Sequence, residues 1–330
     1  MKAAKGLAPR WKDVPDYIIG VTKEIWEDRR VGTLQQHYHD AIVVRSPASV
    51  VVGNRDVIGA TLATLAEFPD RQLLGEDVIW DDVPDAQGGG AISSHRLICT
   101  ATHTGDGMYG PATGRRLRYR ILADCHSEGG RIDDEWLVRD QGAIVRQMGQ
   151  GPRDWARALI DREGGPEACV RPLSPETDRP GPYTGAGNRE RWGGQLRETL
   201  EGIMGADLSL IPKAYDRAAQ LEYPGGVTGF GHADADRFWI GLRASFPDAE
   251  FTVHHVLGRD DPYMPPRAAV RWSLWGRHKG WGVFGTPSGA MVYVLGVTHA
   301  EFGPRGLRRE WTLFDETAIW KQIALAERAG

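Results

Sequence analysis

The chain has 330 residues, of which 41% are hydrophobic and 25% are charged, and its formal net charge is -4. These values are ordinary for a globular protein, and a slightly acidic chain lacks the basic stripe that nucleic-acid binding requires. No stretch approaches 18 apolar residues and the N-terminal residues lack an apolar signal segment, so we expect neither a membrane span nor secretion.

The first elements in chain order are two predicted amphipathic helices. Apolar residues recur at roughly helical spacing within residues 16–30 and again within residues 55–67. After the FPD tripeptide at 68–70, the sequence changes from a helical pattern to a strand-like one. Segments 92–103, 115–126 and 131–140 are short, partly alternating in polarity, rich in β-formers and separated by Gly-rich turns, which predicts an antiparallel meander. Helices followed by strands are typical of an α+β fold.

The segment HTGDGMYGPATG at 103–114 has a partner in HKGWGVFGTPSG at 278–289, an offset of 175 residues. The offset continues without a gap to the pairs Glu135/Glu310 and Trp136/Trp311. FPD recurs at 246–248, where the offset is 178 because an intervening loop differs by three residues. A period of this length indicates duplicated domains rather than a solenoid.

We therefore predict two tandem domains, at residues 14–150 and 190–330. Residues 151–189 between them are rich in Pro, Gly and Arg and predict a long linker with one short helix at 153–163. In the second copy, residues 234–246 predict a helix, and residues 268–278, 290–302 and 307–315 predict strands.

The two Gly-rich segments do not fit a phosphate-binding loop. No helix is predicted after them, and no Lys-Ser/Thr pair stands at their end. Glycine permits positive φ and close backbone approach, so each segment predicts an irregular hairpin tip that bends the sheet around a cavity.

Residues 103–140 resemble the SnoaL-like polyketide cyclases of the nuclear-transport-factor-2-like group. The resemblance rests on the hairpin at 103–114 and on a last strand that runs from Gly130-Arg131-Ile132 through Trp136 to Asp140. The second copy matches more loosely, with Pro287-Ser288-Gly289 in the hairpin and residues 307–315 as last strand. The resemblance implies an α+β fold of two tandem cone-shaped α+β barrels (NTF2-like, or cystatin-like), each a curved antiparallel sheet wrapped over N-terminal helices.

The resemblance also implies a deep apolar pocket and an acid/base pair. The family's aspartate position falls on Leu137 and Thr312, and its histidine position falls on Ala123 and Thr298. Neither copy keeps that pair in this alignment. A bulge in the strand before the last would bring His126 or His299 into the histidine position instead.

Alternation along the last strand puts Glu135 on the face of position 137, and Glu310 on the face of Thr312. A carboxylate in an apolar cavity has a raised pKa and acts as general acid or base, so Glu135 and Glu310 are the catalytic candidates. The competing interpretation is a salt bridge to Arg96 or Arg271, which also recur in both copies and are candidates for ligand binding. Trp136 and Trp311 would lie on the opposite face, packed against a partner sheet.

Further candidates surround the expected pocket. His103 and His278 either polarise the ligand at the pocket mouth or hold the hairpin backbone. Tyr38, Asp40 and Tyr215 follow the first helical regions, where this fold places pocket residues, and Trp281 belongs to a set of tryptophans that line a pocket or fill a core.

The sequence favours a cytoplasmic protein without cofactor or metal, because its three cysteines form no CxxC pair. The first functional hypothesis is a cyclase, isomerase or hydratase that acts on a small, partly apolar carbonyl compound. The second is a non-catalytic small-molecule-binding protein, and the third is one active and one structural half. Two copies in one chain would supply an intramolecular pseudo-dimer, with a further homodimer as an open alternative.

Overall fold

The computed structural model describes residues 7–329. The first half and the connection contain α1 (Val14–Trp26), α2 (Leu34–His37), β1 (Tyr38–Ser46), β2 (Ser49–Val52), α3 (Asn54–Glu67), β3 (Gln72–Asp82), β4 (Ala91–Thr102), β5 (Arg116–Glu128), β6 (Arg131–Arg139), α4 (Gln141–Gln147) and α5 (Pro152–Arg162). The second half contains α6 (Arg191–Met204), α7 (Ile211–Ala214), β7 (Tyr215–Tyr223), β8 (Val227–Phe230), α8 (Gly231–Ser245), β9 (Glu250–Arg259), β10 (Arg267–Arg277), β11 (Met291–Gly303), β12 (Gly306–Phe314) and α9 (Glu316–Ala329).

The two halves have the same topology. Each forms a six-stranded sheet, in the order β2-β1-β6-β5-β4-β3 and β8-β7-β12-β11-β10-β9. The predicted α+β fold of two tandem copies is thus confirmed. The antiparallel meander β3 to β6 is present, and β1 adds to it in parallel, next to β6. The predicted antiparallel sheet is therefore mixed: in the first half β1 and β6 are parallel, and the other neighbouring strands are antiparallel.

Helix α1 illustrates how the sequence builds the layer over each sheet. The Asp13 side chain caps the helix by accepting a hydrogen bond from the Asp16 amide at 2.9 Å. The residues buried on one face of this helix are Val14, Tyr17, Ile18, Val21 and Ile25. Their spacing of three and four residues forms one apolar stripe, which lies against the sheet.

The other face of each sheet packs against the sheet of the other half. Leu122 and Val138 from the first sheet share a buried cluster with Val297 and Leu313 from the second. Because side chains alternate along a strand, the neighbouring positions Ala123 and Leu137 point the opposite way, toward the helices. Every central strand is therefore covered on both faces.

The connection between the halves is packed rather than free. Its helix, α5, was predicted at nearly the same residues, and it contacts α9 at the end of the chain. Beyond the helix, Leu173 and Tyr183 are buried among residues of the two sheets. The Tyr183 hydroxyl hydrogen-bonds the ring of His255 at 2.9 Å. Among residues 7–329, no helix has the length and apolar character to cross a membrane.

Candidate functional site

A cavity of about 630 Å³ lies in the first half, between the helices and the face of the sheet that carries Leu137. Most of its wall is apolar, and small residues of α3 such as Ala60, Thr61 and Thr64 leave the space open. The titratable residues in the wall are Tyr38, Glu67, Arg71, His95, Asp106, Tyr109, Glu135, Arg139 and Asp315. A mostly apolar cavity with a few converging polar groups is the usual form of a small-molecule site.

Glu135 lies in this wall on β6, on the cavity face that alternation predicts. It is buried, and burial raises the pKa of its carboxyl to about 7, although hydrogen bonding with Tyr38 opposes the rise. Glu135 forms no ion pair with an arginine in the described part of the chain. A carboxyl group with a pKa near 7 is present in both protonation states at neutral pH, as proton transfer requires.

His95 is a second polar residue in the cavity, and the sequence analysis did not identify it. It lies on β4, opposite Ala123, which in turn lies opposite Leu137. Burial lowers the pKa of His95 to about 4, so its imidazole is neutral at neutral pH. Its Nδ1 has no hydrogen-bond partner within residues 7–329. Because side chains alternate along a strand, His95 points into the cavity, and its neighbour Arg96 points toward the other half.

His103 lies in the hairpin and not in the cavity wall. Its Nδ1 is 3.1 Å from the Thr113 hydroxyl, and its Nε2 is 3.3 Å from a Glu67 oxygen. Glu67 also accepts hydrogen bonds from the backbone amides of Met108 at 3.2 Å and Tyr109 at 2.8 Å. The histidine and the glutamate therefore fix the hairpin onto the end of α3.

His278 has the same place in the second hairpin. Its Nδ1 is 3.1 Å from the hydroxyl of Ser288, the counterpart of Thr113. Ser245 stands where the first copy has Glu67, and its side chain lies close under Gly282. The hairpin is thus held in both copies, with or without a neighbouring carboxylate.

The second half holds large side chains where the first half has the cavity. At the positions of Thr61, Leu97, Tyr109 and Arg139, it carries Trp239, Trp272, Phe284 and Phe314, all buried in one cluster. The ladders β10–β11 and β11–β12 repeat the register of the first half, which establishes the pairs Leu97/Trp272 and Arg139/Phe314. The other two pairs follow from the sequence offsets of 178 and 175. The interior of the second half is a filled core.

Glu310 is buried within that core. It accepts hydrogen bonds from the hydroxyls of Thr312 at 2.6 Å and Tyr223 at 3.3 Å. Burial raises its pKa to about 7, and hydrogen bonds from Thr312, Tyr215 and Tyr223 oppose the rise. Tyr215 itself accepts a hydrogen bond from the Trp239 indole at 3.3 Å. Glu310 and Tyr215 are therefore hydrogen-bonded within the core.

The other predicted ligand-binding residues lie outside the cavity wall. Asp40 is exposed and pairs with Arg131 at 2.8 Å, and Trp281 is exposed at the second hairpin. Arg96 and Arg271 lie between the two sheets, where each stacks on a tryptophan of the other half. Of that predicted set, only Tyr38 lines the cavity, together with the catalytic candidate Glu135.

The two histidines that a bulge would bring into the family's position also lie elsewhere. His126 contacts the Gly89 carbonyl at 2.8 Å and Asp133 at 2.6 Å. His299 lies between the sheets, 2.8 Å from the Ser94 hydroxyl. The positions that face the helices remain Ala123 and Thr298. Within the described residues, no group of three or more His, Cys, Asp or Glu side chains is arranged to hold a metal ion.

Residues 17–148 match the family model of the SnoaL-like polyketide cyclase. Among solved structures, IdmH of Streptomyces antibioticus is 22% identical and a SnoaL-like polyketide cyclase of Agrobacterium tumefaciens is also 22% identical. Their TM-scores are 0.35 and 0.32, and each match covers 41% of this chain and 98% or 97% of the other. TsrD of Streptomyces laurentii is 18% identical, with a TM-score of 0.32 over 41% of this chain and 91% of the other. No curated protein matches the chain. The resemblance predicted from the sequence is confirmed by the family match.

Proposed function

We propose that the first half is an acid/base enzyme of the cyclase type and that Glu135 moves a proton of a small, partly apolar carbonyl compound. The observation that carries the proposal is the position of Glu135 in the cavity and the raised pKa of its carboxyl group. This residue lies in the wall of an apolar cavity, has no arginine partner among the described residues, and has a pKa raised by burial to about 7. Perturbed carboxyl groups of this kind cluster at catalytic sites. The SnoaL-like family match over residues 17–148 supports the reaction class.

In the proposed reaction, the Glu135 carboxylate removes a proton from a carbon next to a substrate carbonyl, which becomes an enolate. The enolate carbon then forms a bond with a second carbonyl carbon of the same molecule. The oxygen of that second carbonyl gains the electron pair and takes the proton back from Glu135. These reaction steps consume no oxidant, reductant or added base. The neutral His95 ring supplies a hydrogen bond to a carbonyl oxygen, and the Tyr38 hydroxyl donates to the Glu135 carboxylate and orients it.

The filled core of the second half supports a division of roles between the copies. Glu310 has the same strand position as Glu135, but Trp239 and Trp272 occupy the space that a ligand would need. We propose that the second half supports the first by covering the outer face of its sheet. The proposal combines the first and third hypotheses from the sequence.

Binding without catalysis is the second candidate. The family's aspartate and histidine positions carry Leu137 and Ala123, which take no part in proton transfer. If Glu135 only completes the cavity wall, the first half binds a small molecule and releases it unchanged.

Exchange of α-protons with solvent deuterium distinguishes the two candidates. The probe is 2-tetralone, a compact ketone with acidic α-protons, followed by NMR in D₂O with and without the protein. We expect Glu135→Gln to abolish the protein-dependent exchange. Glu310→Gln makes the same chemical change in the filled copy and should leave exchange within about twofold of the wild type. Equal exchange in the wild type and Glu135→Gln would refute the catalytic role.

A further inference from the structure

We propose that the cavity of the first half selects ligands that carry a carboxylate on an apolar body, and that Arg71 and Arg139 bind this carboxylate. The inference deepens the proposed function, on which it rests for the assumption that the bound ligand is the substrate. It assigns the two arginines a recognition role separate from the proton transfer at Glu135.

Arg71 follows α3 and lies in the cavity wall with no solvent-exposed surface. Its guanidinium stacks on the Trp26 ring, 4.2 Å from the ring centroid, and its Nε lies 3.3 Å from the Cys99 sulfur. Neither terminal nitrogen, Nη1 or Nη2, has a hydrogen-bond partner in residues 7–329. A buried guanidinium without an anion is costly, so two free terminal nitrogens in a cavity wall indicate a place for one.

Arg139 ends β6 on the cavity face, two positions after Leu137. Its Nε is buried and also lacks a hydrogen-bond partner among the described residues. Burial raises the pKa of Tyr119, and the positive charges of Arg71 and Arg139 both oppose that rise. Arg139 pairs with Ile121 on β5, two positions from Tyr119, and Tyr119 pairs with Cys99, whose sulfur contacts Arg71. Strand pairing therefore places both arginines at the same end of the cavity.

The carboxylates of the cavity wall are engaged elsewhere. Glu67 accepts hydrogen bonds from the hairpin amides, and Glu135 interacts with Tyr38. Asp315 caps the start of α9 through the amide and hydroxyl of Thr317, at 2.8 and 2.7 Å. Asp106, at the exposed hairpin, accepts a hydrogen bond from the Ala112 amide at 2.8 Å. Among the described residues, neither Arg71 nor Arg139 forms a salt bridge with any of the four.

The second half shows that the fold itself does not need the two charges. Ala249 stands at the position of Arg71, and Phe314 stands at that of Arg139. The arginines are therefore specific to the half that has a cavity.

A carboxylate matches this arrangement in shape and charge. The planar guanidinium fork binds the two oxygens of a carboxylate in parallel, and a charge-assisted hydrogen bond gains strength away from water. The rest of the wall offers apolar side chains of α1, α3 and the sheet, which suit a hydrocarbon body. The expected ligand is thus a compact acid rather than a neutral hydrocarbon.

The test compares 2-naphthoate with methyl 2-naphthoate, which share the ring system and differ in charge. Their dissociation constants are measured by isothermal titration calorimetry with the full chain. We expect wild-type protein to bind the acid at least about tenfold more tightly than the ester. Arg71→Met and Arg139→Met should each weaken acid binding by about tenfold while ester binding changes less than about twofold.

The matched control is Arg118→Met, which removes an exposed arginine next to Tyr119 on the outer side of β5 and should preserve the preference for the acid. Equal affinity of the wild type for acid and ester would overturn the proposal. It would also be overturned if Arg71→Met and Arg139→Met each weakened acid binding and ester binding by the same factor. Glu135→Gln separates this test from the proposed function, because it should abolish α-proton exchange and keep the preference for the acid.

Discussion

Arg96 of the first half lies over the indole of Trp311 in the second, with its guanidinium carbon 3.4 Å from the ring centroid. Arg271 of the second half lies over Trp136 of the first at 3.7 Å. Arg96 corresponds to Arg271 in the repeat, and Trp136 corresponds to Trp311. The same arginine–tryptophan contact therefore occurs twice across the interface. Two residues that the sequence offered as ligand contacts are instead part of the joint between the sheets.

Removal of Arg271 should destabilise this joint strongly. Its Nε donates to the buried Asp124 at 3.0 Å, and Ser94 donates to the same carboxylate at 2.5 Å. Burial would raise the pKa of Asp124, but His255 and Arg271 hold it well below its ordinary value. Arg271→Met leaves that charge without its cation, and we expect a loss of about 3–5 kcal/mol in the free energy of unfolding, measured in urea.

Arg309→Met is the control for Arg271→Met. Arg309 is half-exposed and pairs with Glu301 at 3.5 Å, so its loss should cost less than about 1 kcal/mol. Equal costs for the two variants would show that the Asp124–Arg271 contact does not stabilise the interface.

A tryptophan placed in the cavity should close it. Leu97 lines the cavity, and its counterpart in the second half is the fully buried Trp272. We expect Leu97→Trp to fold and to lower the affinity for methyl 2-naphthoate by at least about tenfold, since the indole takes the volume of the ligand. Calorimetric titration provides the measurement. Unchanged affinity would place the ligand somewhere other than this cavity.

The rate of α-proton exchange should rise with pH. Because burial raises the pKa of Glu135 to about 7, its carboxylate is scarce at pH 5 and predominant at pH 8.5. The protein-dependent rate with 2-tetralone, corrected for exchange in buffer, should follow a single ionisation near pH 7. A rate that does not change between pH 5 and 8.5 would argue against Glu135 as the base.

Glu310→Gln should change how stability depends on pH. The folded-state pKa of Glu310 is raised to about 7 from an ordinary value of 4.5, so folding favours its protonated form. Its favourable contribution is present below about pH 4.5 and is lost as the pH rises through 7. Relative to the wild type, the glutamine variant should therefore gain about 2–3 kcal/mol in unfolding free energy between pH 5 and pH 8.

The difference between variant and wild type is the informative quantity for Glu310. His95 and His255 are buried with lowered pKa values, so their contributions change with the opposite sign over the same pH range. Those contributions are common to both proteins and cancel. A difference that stays constant from pH 5 to pH 8 would mean that Glu310 ionises in the folded protein as it does in the unfolded one.

The hairpin that carries His103 should not tolerate a side chain at Gly107. A Cβ atom there would stand 2.5 Å from an oxygen of Glu67, which holds the hairpin amides. We expect Gly107→Ala to lower the free energy of unfolding by about 1–3 kcal/mol. Gly194→Ala in α6 is the matched change, because an added Cβ there would meet no atom within 4 Å beyond its own helix backbone and chain neighbours, and it should stabilise the helix by up to about 1 kcal/mol. Urea unfolding of both variants would contradict this account if the two changes had the same sign.

Local sequence patterns were sufficient for the repeat and for the orientation of the last strand. The glycines of the hairpins set the register of the two copies, and alternation then placed Glu135 on the face of Leu137. Strand β1 was not predicted, although Ile42, Val43 and Val44 favour a strand and β1 pairs locally with β2. Only its parallel pairing with β6, about ninety positions away, leaves no local signal. His95 and Arg71 were missed for a related reason, since their convergence depends on strand order and on the path of the chain after α3.

One difference between the halves was visible in the sequence. At the offsets of 178 and 175 residues, Thr61 corresponds to Trp239 and Leu97 to Trp272, so tryptophans in the second copy replace small or medium side chains of the first. A comparison of side-chain size at paired positions would have predicted an open first half and a filled second half. Residues that both copies share, such as Glu135 and Glu310, carry no sign of this contrast.

Because both copies lie in one chain, the aromatic core of the second half can evolve independently of the cavity in the first. In an assembly of two identical subunits, one codon specifies both copies, and an indole that fills one cavity fills the other. Here Leu97 and Trp272 are separate codons. One copy is therefore free to acquire bulk and rigidity under selection for stability, while the other keeps an opening under selection for what enters it.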